Sequence, residues 1–412
     1  MTTPLGEHIL DSIEYWWDGM HPITEAGALA LDAAHDLVPV LRAASDKIDL
    51  DHRLPSEVCE AMGDAGIWNM MAPECAGGGK VDYPTVFRVL EQLSYGDGSA
   101  GWSLLTHSAG AYIASWLPEE GAEALFEGRY TCIAGSPTPF GAQGHRVDGG
   151  WIVSGEWMWA TGLKHATHTI GGFPVLDDNG EMIIGDHGLP ISKTCYFRAD
   201  EIEIVEDSWD AIGMLGTHSG KFVANEVFVP DMWTVDFPPD GAPPLRNVLP
   251  VGVVGGHCWV HMGIARHAIE ALVEVAKTKV HMSPMGMNHM KNRQVVQLRI
   301  GEASAMVRAC RAWGYENLDR GWAMALAGQD VTKELMLSNQ LHNTHTARVC
   351  KEAVQTLFDL ATTTAIYRTN EIDKCLRDIL TACAHMSVQE VNFERIGKAL
   401  LGFPVNLRAG AF

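Results

Sequence analysis

At 412 residues the chain is long enough for two or three domains, or for one large layered subunit with a substantial core. Thirty Lys and Arg against 51 Asp and Glu give a formal charge of −21, a surface that repels phosphate backbones and anionic lipid and so argues against nucleic acid or a membrane face as partner. Nine cysteines, dispersed from Cys59 to Cys383 without a Cys-x-x-Cys pair, read as reduced thiols and not as a disulfide framework or zinc site. Met1 to Trp17 carries Glu7, Asp11 and Glu14 and no basic leader, and no apolar run reaches the ~20 residues that span a bilayer, so a cytoplasmic location is expected.

The first part of the chain reads as helix. Ala30, Leu31, Ala34, Leu37 and Leu41 recur at helical spacing, as do Val58, Met62, Ile67 and Met70. A Gly-rich break at Ala76 to Lys80 precedes further helical patterns at Tyr83 to Leu93 and Trp102 to Trp116, and Pro118 opens a helix with acidic residues in its first turn. From Tyr130 to Val235 the texture becomes short strands. Val147-Asp-Gly-Gly-Trp-Ile-Val-Ser-Gly combines alternation with a Gly-Gly turn, which predicts a hairpin. After the Pro-rich link Phe237 to Pro250, periodic stretches at Gly256 to His281, Gln294 to Ala327, Val331 to Ala365 and Ile372 to Leu401 predict a bundle of four helices. The expected class is α+β, mostly α: an N-terminal helical domain (1–127), a middle β-barrel-like domain (128–240) and a C-terminal four-helix bundle (241–412).

Two segments carry the chemistry: Gly155-Glu-Trp-Met-Trp-Ala-Thr-Gly, and Arg377-Asp378 with His385 eight residues after the Arg. Together with Asp97-Gly-Ser-Ala-Gly-Trp, Gly213-Met-Leu-Gly-Thr-His-Ser, Val227-Phe-Val-Pro and Gly263-Ile-Ala-Arg-His-Ala, they make the chain resemble the acyl-CoA dehydrogenase fold from about residue 30 onward. A dehydrogenase of that fold needs a carboxylate to take the α-proton of its substrate. The usual position, nine residues after the Arg, holds Met386; the alternative region, Gly241 to His267, holds no Asp or Glu; and Ala134-Gly-Ser-Pro-Thr-Pro-Phe-Gly-Ala replaces the Thr-Glu-Pro-x-x-Gly-Ser-Asp loop. At the same places the chain is similar to the oxygenase components of two-component flavin-dependent monooxygenases, the aromatic hydroxylase and dibenzothiophene monooxygenase-like group. Their Gly-x-Trp-x-Phe-x-Ser-Gly-x-x-His-Ala pattern resembles Gly155-Glu-Trp-Met-Trp-Ala-Thr-Gly-Leu-Lys-His-Ala, with Thr161 where Ser is usual.

That resemblance implies reduced FMN or FAD supplied by a separate NAD(P)H-flavin reductase, oxygen as co-substrate, a flavin C4a-hydroperoxide, hydroxylation of an aromatic or polycyclic small molecule, and a homotetramer assembled through the bundle. It implies that the Thr161 hydroxyl meets the flavin N5 edge, with Gly162 beside it, and that His385 acts as hydrogen-bond donor or proton shuttle. His107 would orient or deprotonate a phenol-like hydroxyl, or simply be structural. Trp159 would pack on the isoalloxazine, its indole offering a flat apolar face, while Trp157 is core or pocket wall. His165 either contacts the ring edge or is a buried structural group, and Arg266 either reaches the flavin phosphate or forms an ion pair. The His- and Met-rich stretch Val280 to Lys291 reads as an apolar lid over a substrate entrance in preference to a metal site, and Cys75 to Lys80 lacks the spacing of a phosphate loop. The rival readings are a flavin dehydrogenase or oxidase with an unusual base, such as His385, and a flavin- or ligand-binding module without catalysis.

Overall fold

A computed structural model of the chain describes residues 24–78, 80–137, 141–177, 179–185, 190–237, 256–283 and 286–405. The leader-free reading of Met1 to Trp17, almost all of the Pro-rich link, and parts of the Ala134 loop, the Cys75 turn and the His- and Met-rich stretch lie outside the described residues. Five helices come first: α1 (Glu25–Leu50), α2 (Ser56–Asp64), α3 (Tyr83–Gly96), α4 (Gly98–Ile113) and α5 (Glu119–Leu125). Side-chain caps set the starts of α1, α3 and α4, while Pro55 and Pro118 precede α2 and α5. Thr24 Oγ1 accepts from Gly27 N at 3.0 Å and Asp82 Oδ1 from Thr85 N at 3.0 Å. Asp97 ends α3 and opens α4, accepting from Ser99 N (2.9 Å) and Ala100 N (3.2 Å), so the chain reverses between two buried helices with no loop.

The β region forms two four-stranded sheets. Strands β1 (Ile133–Ser136), β4 (His168–Pro174), β5 (Ser192–Arg198) and β8 (Thr234–Phe237) lie in the order β1-β4-β5-β8; β2 (Ala142–Val147), β3 (Gly150–Trp157), β7 (Lys221–Pro230) and β6 (Glu203–Val205) lie in the order β2-β3-β7-β6. Among the described strands only β1 and β4 pair in parallel; the Gly149-Gly150 turn joins β2 to β3 as the expected hairpin. Alternation along β3 turns Trp157 into the space between the sheets, where it stacks on Phe222 (4.8 Å, 12°) and tilts against Phe197, while its Nε1 donates to Gly172 O at 2.9 Å. Trp157 is therefore core.

The helices resume with α6 (His257–Thr278), α7 (Gln294–Leu326), α8 (Lys333–Ala361), α9 (Glu371–Ala382) and α10 (Val391–Leu400). Three long helices match the sequence periodicity, but the fourth predicted one is two. The break has a side-chain cause: His385 caps a one-turn 3₁₀ helix at Met386–Val388, and Asn343 (2.9 Å) and Asn392 (3.0 Å) both donate to Ser387 O, taking a carbonyl that a continuous helix would use internally. The stretch expected to be a lid contains a two-stranded hairpin, β9 (Val280–Ser283) with β10 (Gly286–His289), and is anchored at its end by fully buried Met290. Among the described residues no helix is long and apolar enough to cross a membrane, and no group of three or more His, Cys, Asp or Glu is arranged to hold a metal ion.

Candidate active site

After β3 the chain leaves the sheet and is strapped to the loop that precedes β7. Ala160 N donates to Gly220 O (3.0 Å) and Gly162 N to Thr217 O (2.7 Å). The strap is made of unusual backbone. Trp159, Met214 and His218 all take left-handed conformations (φ 56°, 53° and 37°), and Gly162 (φ 97°) takes one that only glycine adopts freely. Three bulky residues so placed within one small region store strain of the kind that marks working sites. In the strap Trp159 is turned outward, with 73% of its surface exposed, on the wall of a cavity of about 250 Å³ that Met158, Trp209, Ser219 and Lys221 also line. Thr161 points inward, and its hydroxyl lies 2.7 Å from Ser219 Oγ, which lies 2.8 Å from Thr217 Oγ1, which donates to Met214 O at 2.8 Å.

Two imidazoles flank this relay. His165 Nδ1 accepts from Leu54 N at 3.4 Å; its buried Nε2, beside Gly162, has no hydrogen-bond partner, and burial lowers its pKa to about 3. His218 is buried with neither ring nitrogen bonded, and burial, aided by Lys164, lowers its pKa to about 4. Such groups are costly to bury unless a polar ligand completes them.

A second group of candidate residues gathers at α4. Gly216 packs against Ser99, where a Cβ on the glycine would lie 3.0 Å from the serine Cβ. Trp102, three residues or about 4.5 Å farther along α4, meets the edges of His257 (5.1 Å) and His385 (5.6 Å). Those two imidazoles stack at 4.1 Å. His385 keeps an exposed face although protein crowds it on most sides, as a residue lining a concavity does. Its Nδ1 accepts from Ser387 N (3.2 Å) and lies 2.8 Å from Ser387 Oγ, so the neutral ring carries its proton on Nε2. Burial lowers its pKa to about 4. At neutral pH this makes His385 a fixed N–H donor, which fits the first of the two roles expected of it, donor or shuttle. Met386, the position that would hold a dehydrogenase carboxylate, is half-exposed.

Two expected site residues are elsewhere. His107 is fully buried; Nδ1 accepts from Ile133 N at 3.0 Å and Nε2 donates to Trp68 O, so both nitrogens are spent on tying α4 to β1 and to the segment after α2. Its neighbour Thr106 lies with Trp102 and Ala109 on the partly open stripe of α4. Arg266 is buried over the Tyr95 ring and donates to Glu91 Oε1 at 2.9 Å, beside Arg311 at 2.6 Å. Of the two roles weighed for it, the ion pair is the one present, but inside the core and not at the surface. The Arg377-Asp378 motif is likewise architectural: Asp378 Oδ1 accepts from Met214 N at 2.6 Å, and Lys374 joins Asp378 (3.1 Å), Asp49 (2.6 Å) and Asp97 (3.4 Å). Ser219, Thr217, His257 and Trp102 were missed by the sequence reading.

The acyl-CoA dehydrogenase N-terminal domain model matches residues 31–125 and the acyl-CoA dehydrogenase C-terminal domain model residues 255–390, together more than half of the chain. The chain belongs to the acyl-CoA dehydrogenase family. It is 27% identical over 369 residues to the indole-3-acetate monooxygenase of Pseudomonas putida, covering 88% of this chain and 90% of that one. It is 26% identical over 385 residues to the flavin-dependent monooxygenase oxygenase subunit HsaA of Rhodococcus jostii, covering 90% and 97%. Among solved structures, XiaF from Streptomyces sp., in complex with FADH2 and glycerol, superposes with a TM-score of 0.82 at 19% identity over 92% of this chain and 96% of that one, a likeness of fold.

Proposed function

We propose that the chain is the oxygenase component of a two-component flavin-dependent monooxygenase, taking reduced FMN or FAD from a separate reductase and using oxygen to hydroxylate an aromatic small molecule. The observation that carries this reading is His385, a neutral, tautomer-fixed N–H donor beside the position where a dehydrogenase would need a base. The features that fit a flavin are the outward Trp159 on the cavity wall and, close by in the chain, the buried Thr161 hydroxyl and the unpartnered His165 and His218 nitrogens. Trp159 offers a flat apolar face, Thr161 and Gly162 meet the ring edge, and His165 completes a polar contact. When bound, the reduced flavin supplies the electrons that activate oxygen. The chain's own part is to orient the ring, keep water out and present one N–H to the reacting oxygen. Trp102 and Thr106 lie toward the side from which a planar substrate would enter, and acidic surface charge suits a cytoplasmic protein. We place the exposed apolar residues of α10 and its tail, Val391, Leu400, Leu401 and Phe403, in the contacts of a homotetramer.

The rival with His385 as proton-abstracting base is disfavoured because Nδ1 already accepts from Ser387 N and Nε2 carries the ring's proton, which leaves no free lone pair to take a substrate's. The test is to mix the chain with FMN or FAD, NADH, a flavin reductase and a panel of indoles and phenols under ¹⁸O₂. One labelled oxygen in a hydroxylated product supports the reading. Bleaching of oxidised flavin by substrate alone, without oxygen or reductase, refutes it.

A further inference from the structure

The hydroxyl relay beneath the strap has a direction. A carbonyl oxygen only accepts, so the 2.8 Å contact between Thr217 Oγ1 and Met214 O must contain the threonine's proton. A hydroxyl has one proton to give. The 2.8 Å contact between Ser219 and Thr217 must then use the serine's proton, and the 2.7 Å contact between Thr161 and Ser219 the proton of Thr161. All three residues are buried, so a reversed link would set lone pair against lone pair. The anchor is fixed as well. Met214 O also accepts from Trp209 Nε1 (3.0 Å) and Thr217 N (3.1 Å), and Met214 N is held by Asp378. Thr161 therefore has only lone pairs left to offer a ligand.

We propose that Ser219 and Thr217 are positioning residues that make Thr161 a one-way hydrogen-bond acceptor, so that the site takes reduced flavin, whose N5 carries a hydrogen, in preference to oxidised flavin, whose N5 does not. The proposal rests on the flavin reading above and on Thr161 meeting N5. It gives the site a reason to collect its cofactor in the reduced state and to release it after turnover, a need peculiar to an enzyme whose electrons arrive from another protein. The discrimination is chemical: an acceptor facing N5–H forms a bond, and the same acceptor facing bare N5 does not.

Equilibrium binding of FMN tests this without turnover, with the oxidised form measured in air and the dithionite-reduced form under argon. The full chain should bind the reduced form at least about tenfold more tightly, the equivalent of one buried hydrogen bond. Ser219→Ala and Thr217→Val each free the Thr161 proton to turn toward N5. Each should narrow the preference by about tenfold, mainly through tighter binding of oxidised FMN. Thr217→Ser keeps the hydroxyl and should retain the preference. Should Ser219→Ala fail to fold, the Thr217→Val and Thr217→Ser pair carries the comparison. A preference unchanged in Thr217→Val, a parallel loss of both affinities, or damage from Thr217→Ser equal to that from Thr217→Val overturns the relay proposal and leaves the flavin reading intact. Absence of both FMN and FAD binding in either redox state by the unaltered chain overturns the flavin reading itself, and the relay with it.

Discussion

Replacing His385 with alanine isolates what the bundle side of the site contributes. The substitution removes one neutral N–H donor whose tautomer is set by Ser387 N at 3.2 Å, and it leaves the strap, the relay and the cavity wall untouched. Removing a single preorganised donor typically lowers a rate by 10² to 10³. His385 keeps an exposed face, so the lower end applies, about a hundredfold or roughly 2.7 kcal/mol. The assay is product formed per NADH consumed with the reductase present, alongside hydrogen peroxide released and flavin affinity. Product should collapse, peroxide should rise to match NADH, and flavin affinity should change by no more than about threefold. The pH profile of the unaltered chain supplies a second arm. Protonation needs Nδ1, which already accepts from Ser387, and the pKa is lowered to about 4. Coupling should therefore be flat from pH 8 down to roughly 5 and fall only toward 4. Unchanged coupling in His385→Ala, or a midpoint close to the ordinary histidine value of ~6.5, refutes the reasoning.

Trp159→Ala should weaken flavin binding about tenfold while leaving urea stability within about 0.5 kcal/mol, since the indole is largely exposed; Trp157→Ala, which empties the space between the sheets, should cost about 3 to 5 kcal/mol. Equal effects on stability would contradict this division of labour. His107 has its pKa lowered by burial to about 4, so below the unfolded value near ~6.5 the unfolded chain takes up a proton that the folded chain refuses. Its contribution is complete above that value and is lost as the pH falls toward 4, at about 1.4 kcal/mol per pH unit, or about 2 kcal/mol between pH 6.5 and 5. His107→Ala should flatten the urea-stability slope in that window by about one proton, and an unaltered slope would show that the ring does not behave this way. Glu91→Gln leaves the buried guanidinium groups of Arg266 and Arg311 without their shared carboxylate and should cost about 3 to 5 kcal/mol, with flavin affinity per folded molecule unchanged. A selective loss of flavin affinity would instead return Arg266 to the cofactor site.

The layers of the fold were legible because each segment carries its own period, 3.6 in Ala30 to Leu41 and 2 in Trp151 to Trp157. Trp157, left as core or pocket wall by the sequence, is buried at the end of β3, and the chain leaves the sheet directly after it. Periodicity failed where a helix is apolar nearly all round. On α4, Ser103, Leu104, Leu105, His107 and Ser108 are all buried, so nothing in the pattern shows that Thr106 and not His107 is the partly exposed residue. Arg266 could not be placed because its partner Glu91 lies 175 positions away. Ser219 and His257 acquire meaning only by touching Thr161 and His385 across the tertiary structure. The break after Ala382 was hidden for a related reason, since the asparagines that take Ser387 O come from two different helices.

The Arg377-Asp378 pair looks at first like part of the chemistry, yet its bonds give it a mechanical task. Left-handed Trp159, Met214 and His218 each cost on the order of 1 to 3 kcal/mol, and such conformations persist only where surroundings over-determine them. Asp378 supplies that constraint at Met214, the residue on which the hydroxyl relay ends. Gly213 permits it, because a Cβ there would sit 2.2 Å from the carbonyl carbon of Arg377. Lys374 in turn ties Asp378 to Asp49 on α1 and to Asp97, the cap of α4. The strain is thus localised in the β-side strap, and the groups that hold it come from three helices. This division is compatible with Met386 at the carboxylate's position and a histidine one residue earlier: the motif that braces the strapped loop stands at Asp378, about two helical turns before His385, so the last residues can change without releasing the strap.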